Sequence, residues 1–144
     1  MAVASGRRAL AAQYPKLHQA FVTSDYTVTT SEADVGCSVD VVNTVAGAIA
    51  RVEAVFEVRG INTGFGYVRC RLSVAGTTQT REVLYAAASA ESRSTCSLIL
   101  DLTLATATTT TIKMRALKTV AGGSAAIVGG GTGASTIAVT LYDC

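Results

Sequence analysis

Alternation of apolar and polar residues with a period of two is the feature that most limits what this chain can fold into. In RVEAVFEVR (residues 51–59) the even positions are all apolar, and four of the five odd positions carry arginine or glutamate. The same alternation recurs at 67–74, 95–104, 110–118 and 135–143. A strand with this pattern packs one face on a core and turns the other face away from it.

Shorter segments add four candidate strands, at 26–30, 37–42, 81–87 and 124–128. Turn-forming residues connect the candidates, as in AGTT at 75–78. About nine strands at short spacing, with no helix between them, predict an all-β fold, either a sandwich or a barrel. A chain of 144 residues can bury a core as one such domain.

The glycine-rich segment GGGTG (129–133) raises the question of a phosphate-binding loop. Such a loop needs a lysine followed by serine or threonine after its last glycine, and then a helix. Here Gly133 is followed by Ala134 and Ser135, and the residues that follow alternate as a strand. We therefore predict a corner between two strands, with no bound nucleotide or other cofactor.

The chain carries little charge for its length. Charged residues make up 15% of it and hydrophobic residues 49%, against about 25% charged in a typical soluble domain. We therefore expect sheet faces to be buried between subunits as well as within one. An apolar second face would come from YAAASA (85–90), Leu117, Ile99 and Val55, which fall out of phase with the core positions.

The same composition argues against two other classes of partner. The net charge of +2 is too small to indicate nucleic acid. No stretch approaches the roughly 18 apolar residues that a membrane-spanning helix needs. The amino terminus also lacks the layout of a signal peptide, so we expect the chain to be made and folded in a cytoplasm.

The sequence does not indicate a catalytic site. The single histidine, His18, lies before the alternating segments, which leaves no Ser-His-Asp or Cys-His arrangement within them. Glu53 and Glu57 would stand about 13 Å apart on one strand, beyond the roughly 5 to 9.5 Å that glycosidases use. The cysteines, none in a Cys-x-x-Cys pair, are Cys37, Cys70, Cys96 and Cys144. We expect free, mostly reduced thiols, no metal site and no enzyme activity.

Residues 1–25 differ from the rest and are predicted to form an amino-terminal arm, leaving 26–144 as the β domain. Apolar residues recur at spacings of four, three and four: Leu10, Tyr14, Leu17 and Phe21. With Ser5 as a cap, this spacing predicts a partly helical arm that Pro15 interrupts. The arm either folds against its own domain or docks on another protein.

The carboxy-terminal half, TTTTIKMRALKTVAGGSAAIVGGGTGASTIAVTLYD (108–143), resembles the closing strands of small jelly-roll domains in bacteriophage virion proteins. These domains are similar to the tumour-necrosis-factor and complement globular-head jelly rolls. VEAVFEVRG and RCRLSVAG also fit, so the resemblance spans residues 26–143. It implies a jelly-roll-like antiparallel β-sandwich, a homotrimer, and a place in a capsid decoration layer or a tail fibre.

The absence of a collagen-like or coiled-coil shaft favours the decoration role. We therefore predict a trimeric capsid decoration (cement) protein on the exterior of a phage head, with the major capsid protein as its partner. The residues predicted to attach it are those of the arm: Arg7, Arg8, Tyr14, Leu17 and Phe21. The alternatives are a receptor-binding or adsorption module of a tail fibre, and an enzyme or small-molecule binder, for which no convergent polar cluster is visible.

Overall fold

The protein folds into ten β-strands. The computed structural model describes residues 15–62, 64, 66–86, 92–105, 108–131 and 134–142. The strands are β1 (Lys16–Phe21), β2 (Tyr26–Thr27), β3 (Ala33–Val42), β4 (Ala48–Asn62), β5 (Tyr67–Val74), β6 (Thr77–Ala86), β7 (Arg93–Leu104), β8 (Thr109–Lys118), β9 (Ser124–Ile127) and β10 (Thr136–Tyr142). All nine predicted strands are present, with altered ends, and β1 is additional. None of the described residues forms a helix of the length and apolarity that crossing a membrane requires.

The strands form two antiparallel sheets. Sheet A contains β1, β10, β4, β9 and β2 in that order, with β7 paired to β4. Sheet B contains β3, β8, β5 and β6 in that order. The chain crosses between the sheets several times, as jelly rolls do, so each sheet combines strands that are distant in sequence. The predicted all-β fold, with antiparallel sheets packed as a sandwich, is confirmed.

The core lies between the two sheets and is made by the predicted apolar phase of each strand. Phe56 of β4, Leu72 of β5 and Met114 of β8 are among its largest fully buried side chains. Cys70 is also fully buried, whereas Cys96 is only partly buried against the core. The period of two thus predicts correctly which side chains point inward, because successive side chains alternate across a strand.

The hairpin between β5 and β6 is the tight turn that AGTT predicts. Val74 pairs with Thr77, so two residues make the connection. The two connecting residues have positive φ, 49° at Ala75 and 84° at Gly76. Two-residue hairpins prefer this twist, and glycine adopts it freely, whereas alanine does so at a cost.

Strand β4 organises sheet A because it has two partners along one edge. Its other edge pairs with β7 throughout residues 48–59. On the shared edge, Ile49–Val55 pair with β10, and pairing with β9 begins at Val58. β9 and β10 therefore act as one interrupted strand, and the glycine-rich segment is the interruption.

The described part of this segment is a corner, as predicted. A Cβ on Gly129 would overlap the carbonyl oxygen of Ser24, so only glycine fits there. The Gly129 N–H donates to the Asp25 carboxylate at 2.9 Å, and the Gly130 N–H donates to the Val22 carbonyl at 2.9 Å. These two amides are thus occupied by groups of the protein and cannot hold a phosphate.

The helical interpretation of the arm is wrong for residues 16–21. These residues form β1, which pairs with β10 from Lys16 opposite Leu141 to Phe21 opposite Thr136. A spacing of four residues suits both structures, since residues i and i+4 share a face of a strand as well as of a helix. The predicted helical positions Leu10 and Tyr14, together with the rest of residues 1–14, lie outside the described residues.

Candidate functional site

The outward face of sheet B is charged, and its charges pair with one another across the strands. The series of alternating charges, here called the charge chain, runs Lys113, Asp34, Arg115, Glu32, Arg71, Glu82 and Arg69. Its shortest contacts are Arg71 to Glu82 at 2.6 Å and Lys113 to Asp34 at 2.9 Å. Most of these charges are thus paired within one subunit.

Part of the outward face of sheet A, called the sheet A face below, has a different composition. Register places its residues in three neighbouring rows across β1, β10, β4 and β7: Leu17–Thr140–Arg51–Asp101, Gln19–Ala138–Glu53–Ile99 and Phe21–Thr136–Val55–Ser97. A fourth row contains Tyr142, Ile49 and Thr103. Most positions are apolar or carry a small hydroxyl group.

Large apolar side chains stand exposed on the sheet A face. Leu17 is 65% exposed, Phe21 53% and Ile49 51%. Ile99 and Tyr142 are exposed as well. Monomeric proteins leave isolated apolar residues on their surfaces, whereas several on one flat sheet mark an interaction surface.

Three charged residues lie in the middle of the sheet A face. Arg51 contacts Glu53 at 3.4 Å, and Asp101 lies opposite Arg51 in the register of β4 and β7. Their net charge is −1. Glu57, Arg59 and Arg93 lie farther along the same side of β4 and β7, beyond these rows. Burying the four rows would desolvate three charges, against seven in the charge chain.

The predicted attachment residues divide into two groups. Arg7, Arg8 and Tyr14 lie outside the described residues. Leu17 and Phe21 both point outward from β1, where they extend the sheet A face to its edge. The structure thus brings these two together with residues of β4, β7 and β10.

The predicted apolar second face is correct for Val55 and Ile99 and wrong for Leu117. It is also wrong for Tyr85, which is buried in the core, and residues 87–90 of YAAASA lie outside the described residues. Val55 and Ile99 lie on the sheet A face, as the prediction of one shared face requires. Leu117 instead faces outward from sheet B, opposite Arg69. Ile49 and Tyr142 also belong to the sheet A face and were not predicted to, although each is a large apolar residue on the phase opposite to the buried positions of its own strand.

The cysteine thiols are positioned for packing. Burial raises the pKa of Cys37 to about 11 and raises the pKa of Cys70 further. The pKa of Cys96 is also raised, first by burial and then by the charge of Glu57. All three are free thiols. In the part of the chain that the structure describes, no group of three or more His, Cys, Asp or Glu is placed to hold a metal ion.

Comparison with known proteins gives a likeness of fold. No family model and no curated protein matches the sequence. Among solved structures, the tumour-necrosis-factor protein Eiger from S. frugiperda superposes with a TM-score of 0.54 at 9% identity, covering 89% of this chain and 92% of that one. The fold is thus similar to the jelly roll of this tumour-necrosis-factor protein.

Two further structures give similar coverage of this chain. Latent PorU from Porphyromonas gingivalis superposes with a TM-score of 0.52 at 10% identity, over 90% of this chain and 13% of that one. The VP2 protein of infectious bursal disease virus superposes with a TM-score of 0.47 at 14% identity, over 90% of this chain and 36% of that one. At such identities the likeness concerns architecture alone.

Proposed function

We propose that this chain is a structural virion protein: a homotrimeric capsid decoration protein that stabilises a phage head from its exterior. The observation that carries the proposal is the sheet A face, whose four rows expose leucine, phenylalanine, isoleucine and tyrosine and carry three charged residues. The jelly-roll fold and the sequence resemblance to phage virion domains support it. The protein acts by adding contact area across junctions of the shell, without chemistry.

In a trimer, the sheet A face of each copy packs against the other two copies. Three copies around one axis bury this face in the centre and leave the outward face of sheet B in solvent. Closed symmetry also limits the assembly to three subunits, because every copy of the apolar surface is then covered. The charge chain stays hydrated in this arrangement and avoids the several kcal/mol that desolvating each ion costs.

In this proposal, the amino-terminal arm binds the trimer to the major capsid protein. Arg7, Arg8 and Tyr14 are the candidates, because Leu17 and Phe21 belong to a paired strand and lie on the proposed trimer surface. Three arms per trimer would bind through avidity, so single substitutions in the arm have small effects. The interpretation that the arm closes one end of its own domain is the competing hypothesis.

The trimer is tested by replacing Leu17 and Phe21 with serine. Sedimentation of the full chain at micromolar concentration should give a trimer, and the double variant should sediment as a smaller species while keeping its β-sheet circular dichroism. The control replaces Val42 with serine, because Val42 is 52% exposed on the edge strand of sheet B. A folded wild-type chain that sediments only as monomer would contradict the trimer.

Attachment is tested with a chain that begins at Pro15. This truncation keeps β1 and the entire sandwich, so folding and trimerisation should survive. Binding to undecorated capsids should be lost, measured by co-sedimentation with the shells. Equal binding by the truncated chain would move attachment from the arm to the loops of the sandwich. Imaging of purified particles decides between a head position and the alternative, an adsorption module on a tail fibre.

A further inference from the structure

The outward face of sheet B changes character towards the end of the sandwich that carries the connection 119–123. One row across three strands contains Leu117, Arg69 and Leu84. Tyr67 lies two residues before Arg69 on the same face of β5. Together with Val120, these residues form what we call the distal patch: an arginine surrounded by apolar side chains.

The apolar members of the distal patch are accessible and firmly held. Tyr67 and Leu84 are each 52% exposed, and Val120 is 50% exposed. The Tyr67 N–H donates to the Thr119 hydroxyl at 2.9 Å, and the Thr119 N–H donates to the Tyr67 carbonyl at 2.9 Å. A Cβ on Gly66 would lie 2.9 Å from a methyl group of Val120, so that valine packs closely on this strand. A rigid surface loses little conformational entropy when it binds.

Arg69 is the incompletely paired end of the charge chain. Its ion-pair partner, Glu82, is 4.0 Å away and contacts Arg71 at 2.6 Å instead. Among the described residues, no hydrogen-bond acceptor meets the Arg69 Nε, which is shielded from solvent. The charge chain holds four cations and three carboxylates, and the unmatched positive charge falls at Arg69. Asp40, a further acid of this face, pairs with Thr111 at the remote end.

A recess borders the distal patch. A cleft of about 350 Å³ opens between β6 and β7, and Leu84 and Ala86 line it together with Ser92, Ser94, Arg93 and Cys96. A side chain from a bound partner can enter this cleft while its neighbours rest on Tyr67 and Leu84. Tyrosine and arginine are also the residues that most often dominate the binding energy of protein interfaces.

We infer that the distal patch is a docking site for a protein segment that presents a carboxylate between apolar side chains. The carboxylate completes the pairing of Arg69, and the apolar side chains cover Tyr67, Leu84 and Val120. This site lies on the sheet opposite to the proposed trimer surface. It therefore remains accessible in a trimer, and its existence does not depend on the proposed function.

The test uses a phage-displayed library of random dodecapeptides selected against the full-length protein. Selected peptides should share an aspartate or glutamate flanked by apolar residues. Their affinity should fall at least about tenfold for Arg69→Met and for Leu84→Ser, as expected for central interface residues. Leu84→Ser keeps the test decisive if the arginine variant is unstable, because Leu84 is half exposed.

The matched control is Lys113→Met, which removes one cation from the other end of the charge chain and leaves the distal patch intact. It should bind the selected peptides as tightly as the wild type does. The inference is overturned if selection yields no acidic-apolar consensus, or if Lys113→Met weakens binding as much as Arg69→Met. It is also overturned if Arg69→Met changes the sedimenting species, since the patch would then serve a second copy of this chain.

Discussion

Ser135 holds together the break in sheet A, and its replacement by alanine gives a sharp test of that role. The residue is fully buried between β9 and β10, opposite Glu57 of β4. Its hydroxyl accepts the Glu57 N–H at 2.9 Å, while the Val128 N–H donates to the Glu57 carbonyl at 2.8 Å. The Ser135 N–H donates in turn to the Val128 carbonyl at 2.9 Å. The hydroxyl thus replaces a ladder bond that neither β9 nor β10 supplies.

The expected loss follows from the donor that Ser135→Ala leaves behind. An unpaired buried amide costs about 1 to 3 kcal/mol, and the lower half of that range applies because this hydrogen bond is only partly buried. We expect the free energy of unfolding to fall by about 1.5 kcal/mol. For a domain of this size, each kcal/mol lowers Tm by about 4 °C, so Tm should fall by about 6 °C.

Urea titration followed by circular dichroism measures this change, with wild type and variant at one fixed protein concentration because association shifts apparent stability. Ser38→Ala is the matched control, since Ser38 is exposed on β3 and its loss should change stability by less than about 0.5 kcal/mol. If Ser135→Ala lowers the free energy of unfolding no more than Ser38→Ala does, then the Glu57 N–H has another partner and Ser135 does not hold the break in sheet A together.

Three further perturbations have defined outcomes. Ala75→Asn should raise the free energy of unfolding by about 0.5 to 1 kcal/mol, because asparagine tolerates the positive φ of the hairpin better than alanine does. Urea titration measures this change, and a loss of stability would contradict the prediction. Raising the pH from 8 to 10 should lower the free energy of unfolding by about 1 kcal/mol for each of Cys37 and Cys70. Burial raises the pKa of both thiols in the folded state above the unfolded value near 9, so the unfolded chain loses these protons first. The double alanine variant should show less of this pH dependence. Lys118→Met should speed proteolytic cleavage within residues 119–123, because the Lys118 ammonium group donates to the carbonyls of Ala121 and Gly123 at 3.1 and 2.8 Å. Unchanged cleavage would show that this connection keeps its conformation without the lysine.

The strands and their inward faces could be predicted from sequence because alternation is a local property. Each side chain's face depends on its own position along the strand, so Phe56 and Met114 could be placed in the core without any knowledge of neighbouring strands. β1 could not be predicted in this way. Its diagnostic residues, Leu17 and Phe21, are four apart, a spacing that both secondary structures share.

The candidate site required information that no single strand carries. Val55 and Leu117 both fall out of phase with the core, yet they lie on opposite sheets, because sheet membership depends on which distant strands pair. The two partners of β4 along one edge depend on where β9 ends and β10 begins, which is a tertiary arrangement. Sequence could therefore indicate that a second apolar face exists, but not which strands build it.

The outward faces of the two sheets differ in how much charge an interface on them would desolvate. Outward positions of β5 and β8 carry Arg69, Arg71, Lys113 and Arg115, whose charges pair within one subunit and would have to be desolvated in any tight contact. Outward positions of β1 and β10 carry leucine, phenylalanine, threonine and alanine, which gain stability when water leaves them. An assembly whose interface covers the sheet A face and spares the charge chain therefore desolvates less charge. The distal patch then points away from the axis of such an assembly, where a partner can reach it.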